Sequence, residues 1–211
     1  MKPDELKIKT ILKTLKDRYP VVNTKLEYKS PFQLLIATIL SAQCTDQQVN
    51  RVSKKLFEKY PKASDLAFAL LKDIKKIIFS AGFYNNKAKN IKACALAIVN
   101  DYKGMVPDNM EDLVKLAGVG RKTANLVLSV VFNHQTIVVD THVLRISKRL
   151  GMTDNKDPVK VEFDLQKIIP KNLWSDFSLQ LIYFGREICD ARKPKCNRCP
   201  LSLVCIHAAK L

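Results

Sequence analysis

EDLVKLAGVGRKTANLVL, Glu111 to Leu128, reads as helix, short glycine-bearing turn, helix. Gly118 and Gly120 open backbone angles closed to other residues and remove Cβ atoms that would block close approach. The turn's amides and the N-terminus of the next helix, expected over Arg121–Phe132, then point outward as a ready-made anion site. A phosphate bound there would be held by backbone groups around Gly118, Val119 and Gly120 and would carry no sequence information. The same pattern also serves as a plain corner between two helices.

The helix after the turn carries two cations in its first turn, Arg121 and Lys122. That is the positive end of the helix dipole, where a cation costs roughly 0.3–1 kcal/mol. Beside Arg121 and that dipole Lys122 should have a depressed pKa, and more of it is then the neutral amine that a Schiff base requires. Contact with solvent or with a phosphate accounts for the same residue more simply. Asp140 follows the apolar run Ile137, Val138 and Val139. It reads either as the N-cap of a helix over Thr141–Leu150, worth about 1 kcal/mol, or as a carboxylate serving the lysine as proton acceptor or charge stabiliser.

Outward from this centre the pattern is helical nearly throughout. Ser30 caps a helix with Pro31 at its first position and Gln33 completing a capping box, and Phe32, Leu35, Ile36, Ile39 and Leu40 form its apolar stripe. Thr45 and Gln48 repeat the box ahead of Val49, Val52, Leu56 and Phe57. Further helices are expected from Ser64 to about Ser80, Lys87 to Tyr102 and Asp108 to Lys115. Beyond Gly151, a C-cap for the Thr141 helix, one more starts at Asp157-Pro158 and ends by Pro170, and another spans Asn172 to about Ile188. Only TIVVD, Thr136 to Asp140, looks extended, and it is too short to build a sheet. An all-α protein of many short helices follows.

In the 211 residues, 36 Lys and Arg face 20 Asp and Glu, a net charge of +16 spread along the chain rather than gathered in a tail. A folded basic surface for a polyanion, most simply nucleic acid, is the natural reading. No run approaches the ~18 apolar residues of a membrane span, and MKPDELKIKT is too polar for a secretory signal, so an intracellular, cytoplasmic protein is expected.

Four of six cysteines crowd CDARKPKCNRCPLSLVC: Cys189, Cys196, Cys199 and Cys205, spaced C-x6-C-x2-C-x5-C. Four thiolates at this spacing point to metal, with a tetrahedral zinc and an iron–sulfur cubane both open. Arg192, Lys193 and Lys195 make the intervening loop basic, suited to phosphate contact or simply to solvent. Cys44 and Cys94 sit in apolar helical patterns and read as buried structural residues.

Together LAGVGRKTAN, VDTHVLR, LSAQCTD, GREICDARKPKC and the cysteine spacing closely resemble the endonuclease III family of helix-hairpin-helix proteins, over essentially the whole chain. The resemblance implies a two-lobed fold, a six-helix lobe at about 23–133 with the hairpin, and a second lobe from 1–22 and 134–211 holding a [4Fe-4S] cluster on the four late cysteines. It implies a monomeric base excision repair enzyme, in a prokaryote associated with the nucleoid. Double-stranded DNA with damaged bases or abasic sites would lie between the lobes, the damaged nucleotide turned out of the stack. The activity implied is a DNA N-glycosylase for oxidised pyrimidines that is also an abasic-site lyase. In it Lys122 is the nucleophile, Asp140 the catalytic carboxylate and Gln43 the residue entering the gap left by the flipped base. His142 falls beside the site, where a packed histidine would look the same. Related mismatch glycosylases carry Ser or Tyr where this chain has Lys122. The family's usual hairpin has proline where Ala117 stands, an exchange that adds an amide donor and removes some stiffness.

Overall fold

The computed structural model describes residues 4–210, and no strand forms among them. Among the described residues eleven α-helices run in order: α1 (Glu5–Arg18), α2 (Pro31–Leu40), α3 (Asp46–Lys59), α4 (Ala63–Ala67), α5 (Leu71–Ile78), α6 (Tyr84–Asp101), α7 (Met110–Leu113), α8 (Arg121–Phe132), α9 (Thr141–Arg149), α10 (Pro158–Ile168) and α11 (Trp174–Glu187). They group into two compact units, Lys25–Phe132 and the chain up to Thr24 together with that from Asn133 onward.

In the Lys25–Phe132 unit α2 is the central element. Every residue from Phe32 to Leu40 is buried, as expected of a helix apolar all round. Ser30 Oγ accepts from the Gln33 amide at 3.3 Å, while the Gln33 side chain reaches back to the Lys29 amide, one residue before the cap. α3, α6 and α8 pack against α2, contributing Val49, Val52 and Leu56, then Ile91, Ala95 and Ile98, then Ala124, Val127 and Leu128. Each buried Leu, Ile or Val in such a face stabilises by about 1.5–3 kcal/mol before entropy is counted. Cys94 belongs to this core, and burial pushes its thiol up to about 12. Cys44 is only half-buried at the core's edge, a correction to its expected burial.

The other unit packs α11 against α1 and α9. Ile11 and Leu15 of α1, Val143 and Ile146 of α9, Val161 and Leu165 of α10, and Phe177, Leu181 and Phe184 of α11 share its core. The Trp174 indole donates to the Ile169 carbonyl at 2.8 Å, pinning the start of α11 to the end of α10.

Three expectations need correction. Ser64–Ser80 is not one helix: α4 stops at Ala67, Leu70 is extended, and a 3-10 turn at Phe79–Ala81 follows α5. At the break the Ala69 carbonyl, which a continuous helix would have used, accepts from Lys92 Nζ of α6 at 2.8 Å. The helix expected from Lys87 begins at Tyr84, and that expected over Asp108–Lys115 shrinks to the single turn of α7, capped by Asn109. α1 escaped the sequence reading, though Asp4 caps it and Ile8, Ile11 and Leu15 form its buried stripe. Among the described residues no helix is long and apolar enough to cross a membrane.

Candidate functional site

The glycine turn between α7 and α8 is anchored from inside. Leu116 and Val119 are buried, and the Val119 amide donates to the Leu116 carbonyl at 3.0 Å. That amide is therefore spent within the turn and is not the outward donor the sequence suggested. The amides of Lys122 and Thr123, in the first turn of α8, lie where a helix offers no carbonyl to them. Gly118 has φ +80°, and a Cβ there would meet Asn90 Cβ at 3.0 Å and Ile39 Cγ2 at 3.1 Å. Gly120 differs from expectation. Its φ is ordinary and a Cβ would meet nothing within 4 Å, so its missing side chain matters only to something approaching from outside. Its carbonyl accepts from the Ala124 amide, which makes it the cap of α8.

Arg121 and Lys122 open α8, half-buried and exposed respectively, while Ala124 and Asn125 just behind them are buried. The helix is thus fixed in the core and presents the lysine to solvent at its N-terminus.

A second feature of the same unit lies between α2 and α3. Gln43 is exposed and held in the left-handed region at φ +52°. A non-glycine residue there stores strain that the surroundings must support. The support is local: Ser41 Oγ donates to the Thr38 carbonyl, the Cys44 amide to the Ser41 carbonyl, and Thr45 caps α3 by accepting from the Gln48 amide. The Gln48 side chain does not close the expected capping box but donates to Ser80 Oγ at 2.6 Å. That bond leads to a residue the sequence reading missed. Beyond Ser80, Gly82 (φ +68°, ψ 153°) takes a conformation essentially confined to glycine, and Phe83 follows at φ +48°, 67% exposed. An aromatic side chain held in the left-handed region and turned to solvent is as anomalous as Gln43. The Gly-Phe pair opening GFYNNK was its only trace in the sequence.

In the other unit Asp140 is the N-cap of α9. Its Oδ1 accepts from the His142 and Val143 amides, both at 2.8 Å, and no hydrogen bond reaches Oδ2 among the described residues. Ile137, Val138 and Val139 are buried and set its position. His142 packs tightly against α11, where a Cβ on Gly185 would come within 2.5 Å of its Nδ1. The same nitrogen lies 3.1 Å from Arg145 Nη2, which donates to the Cys189 carbonyl at 2.8 Å. One turn on, Arg149 Nη1 donates to Cys189 Sγ at 3.3 Å and to the Asp190 carbonyl at 2.7 Å. α9 thus links the Asp140 cap to the cysteine loop through its own arginines.

Cys189, Cys196, Cys199 and Cys205 line one small cavity, walled by Ile146, Phe184 and Leu201. Burial pushes the Cys199 thiol up, and the three other cysteines add to the shift, so four thiolates here need a positive partner. Among the described residues, no three His, Cys, Asp or Glu side chains converge closely enough for one metal ion. In the basic loop Arg192 and Lys193 are exposed, their amides held by Asp190 Oδ1, whereas Lys195 Nζ donates to the Glu187 carbonyl at 2.9 Å.

Residues 36–171 match the model of the HhH-GPD superfamily base excision DNA repair proteins. Endonuclease III of Synechocystis sp. is 50% identical over 94% of this chain and 91% of its own length, and that of Bacillus subtilis 47% identical over 96% and 93%. A solved structure of endonuclease III trapped as a covalent intermediate with DNA superposes with a TM-score of 0.94, at 44% identity, covering 98% of each chain. The chain belongs to the endonuclease III family of the HhH-GPD superfamily of base excision DNA repair proteins.

Proposed function

We propose that this DNA glycosylase is bifunctional, excising oxidised pyrimidines from duplex DNA and then cutting the strand as an abasic-site lyase. The observation that carries the proposal is Lys122: an exposed lysine in the first turn of α8, where stability disfavours it, directly after a glycine turn that suits a phosphate. Its neutral amine attacks C1′ of the damaged nucleoside, the N-glycosidic bond breaks, and the base leaves with a proton. The sugar ring opens to give the imine. Loss of a C2′ proton then expels the 3′ oxygen in β-elimination. Asp140 assists as the carboxylate facing developing positive charge. Because the cap engages Oδ1 alone, the same residue can hold α9 and offer Oδ2 to the reaction.

DNA is gripped through phosphates at the turn of Gly118, Val119 and Gly120, where the first amides of α8 are the donors and the Val119 amide stays within the turn. It is gripped also at Arg121, and at Arg192, Lys193 and Lys195, with the net charge of +16 steering the approach. Gln43 and Phe83 enter the stack where the damaged nucleotide leaves it, a role that two strained, exposed side chains on tied loops can fill. The four late cysteines hold a [4Fe-4S] cluster. Thiols spread around a cavity, no three of them close enough for a single ion among the described residues, suit a cubane better than one tetrahedral ion. When bound, the cluster would cross-link the loop from Cys196 to Cys205 to Cys189, just past the end of α11. The protein acts as a monomer in the cytoplasm, on the nucleoid in a prokaryote.

The test is incubation with a duplex carrying one thymine glycol, scoring free base and strand cleavage separately. Base release with a cut 3′ to the lesion is expected. Base release leaving an intact abasic strand would overturn the lyase assignment, and no release would overturn the substrate class.

A further inference from the structure

Lys87 sits in the first turn of α6 and is only 5% exposed. Burial and the positive end of a helix both work against an ammonium group there. Its Nζ donates to the Ala81 carbonyl at 2.8 Å, and its backbone amide donates to the Phe83 carbonyl at 3.1 Å. One residue therefore grips both sides of the Gly82–Phe83 kink. Burial lowers its pKa, while the neighbouring Cys44, next to Gln43, favours its charged form. The second tie is Gln48 Nε2 to Ser80 Oγ, running from the helix that begins after Gln43 to the turn that ends in Phe83. The left-handed Phe83 is thus held by one buried cation, and its turn is tied by one amide to the helix that follows the left-handed Gln43.

We infer that Lys87 and Gln48 are positioning residues, which set Phe83 against Gln43 so that both can enter the duplex together. The inference rests on the proposed insertion of Gln43 and Phe83. Nothing in it involves the reaction at the sugar, so its loss should be felt only where a base stack must be held open.

The experiment compares Lys87→Met and Gln48→Ala with the native holoenzyme on an abasic site in duplex and in single-stranded DNA. A 2-aminopurine opposite the site reports unstacking by its emission. For Lys87→Met the expected result is strand cleavage about a hundredfold slower on duplex, the scale of a group misplaced by about 1 Å. Cleavage of single-stranded DNA and the melting profile of the cluster-loaded protein stay unchanged, and the rise in 2-aminopurine emission is lost. Gln48→Ala, at a less buried position, should show the same selectivity to a smaller degree and serves alone if Lys87→Met does not fold. Equal losses on both substrates would overturn the inference in favour of a general structural role. So would full duplex activity and emission in both variants while Gln43→Ala and Phe83→Ala are selectively impaired. If those two variants also spare the duplex, the insertion reading itself fails.

Discussion

A methyl group on Gly118 probes the hairpin more sharply than any other single change. In Gly118→Ala the new Cβ meets Asn90 Cβ at 3.0 Å and Ile39 Cγ2 at 3.1 Å, in a backbone held at φ +80°. An L-residue in the left-handed region costs about 1–2 kcal/mol. Overpacking against buried Ile39 and the Asn90 side chain of α6 costs about 1–3 kcal/mol more. The total, about 2–5 kcal/mol, corresponds to a fall in Tm of at least about 4 °C for a chain of this size, read by circular dichroism or calorimetry. Gly120→Ala is the internal control. With ordinary φ and open space around its Cβ, it should lose no more than about 1 kcal/mol, the difference between glycine and alanine at a helix cap. Its effect should instead fall on affinity for duplex DNA, because the methyl group occupies the path of an approaching phosphate. A Gly118→Ala protein that melts within about 1 °C of the native one would refute the close approach of this turn to α2 and α6.

Other changes separate structure from chemistry elsewhere. Asp140→Ala should lose about 1 kcal/mol of stability with the cap, while Asp140→Asn, which still offers an acceptor oxygen, should melt normally; both should lose strand cleavage. Gly185→Ala should displace His142, whose Nδ1 would lie 2.5 Å from the new Cβ, and cost about 1–3 kcal/mol in thermal unfolding. Arg192→Ala with Lys193→Ala should weaken duplex binding for all sequences alike and reduce the salt slope by about one per lost phosphate contact. Tyr19 and Arg18 hold the Glu187 carboxyl below its ordinary range. A lowered folded-state value stabilises fully above the unfolded pKa and is lost as pH falls through the folded one. Tyr19→Phe should therefore flatten the acid side of the stability–pH curve by a few tenths of a kcal/mol, as expected for exposed groups.

How much of this was legible in the sequence depends on how local the cause is. Caps are local: Ser30, Thr45, Asp140 and Asp157 each sit where a short polar side chain meets the amides two or three residues on, and each caps its helix. The glycine turn and the cysteine spacing are equally local. The break at Ala69 is not, because its carbonyl is satisfied by Lys92, 23 residues away. Gln48 looked like half of a capping box and instead bonds a residue 32 positions on. Lys87 and Phe83 were invisible for the same reason: a buried lysine and a surface lysine are the same letter, and left-handed φ at a phenylalanine has no compositional sign. The signal for α1 is as local as these caps, with Asp4 at its N-terminus and Ile8, Ile11 and Leu15 at helical spacing.

The central claim is that Lys122 is a nucleophile and not a phosphate contact. Borohydride trapping on a duplex with one abasic site, comparing native protein with Lys122→Gln, tests it most directly. The account predicts a covalent protein–DNA adduct for the native protein, mapped by peptide mass to Lys122, and none for the variant. An adduct of equal yield from Lys122→Gln, or none from native protein with its cluster intact, would contradict it.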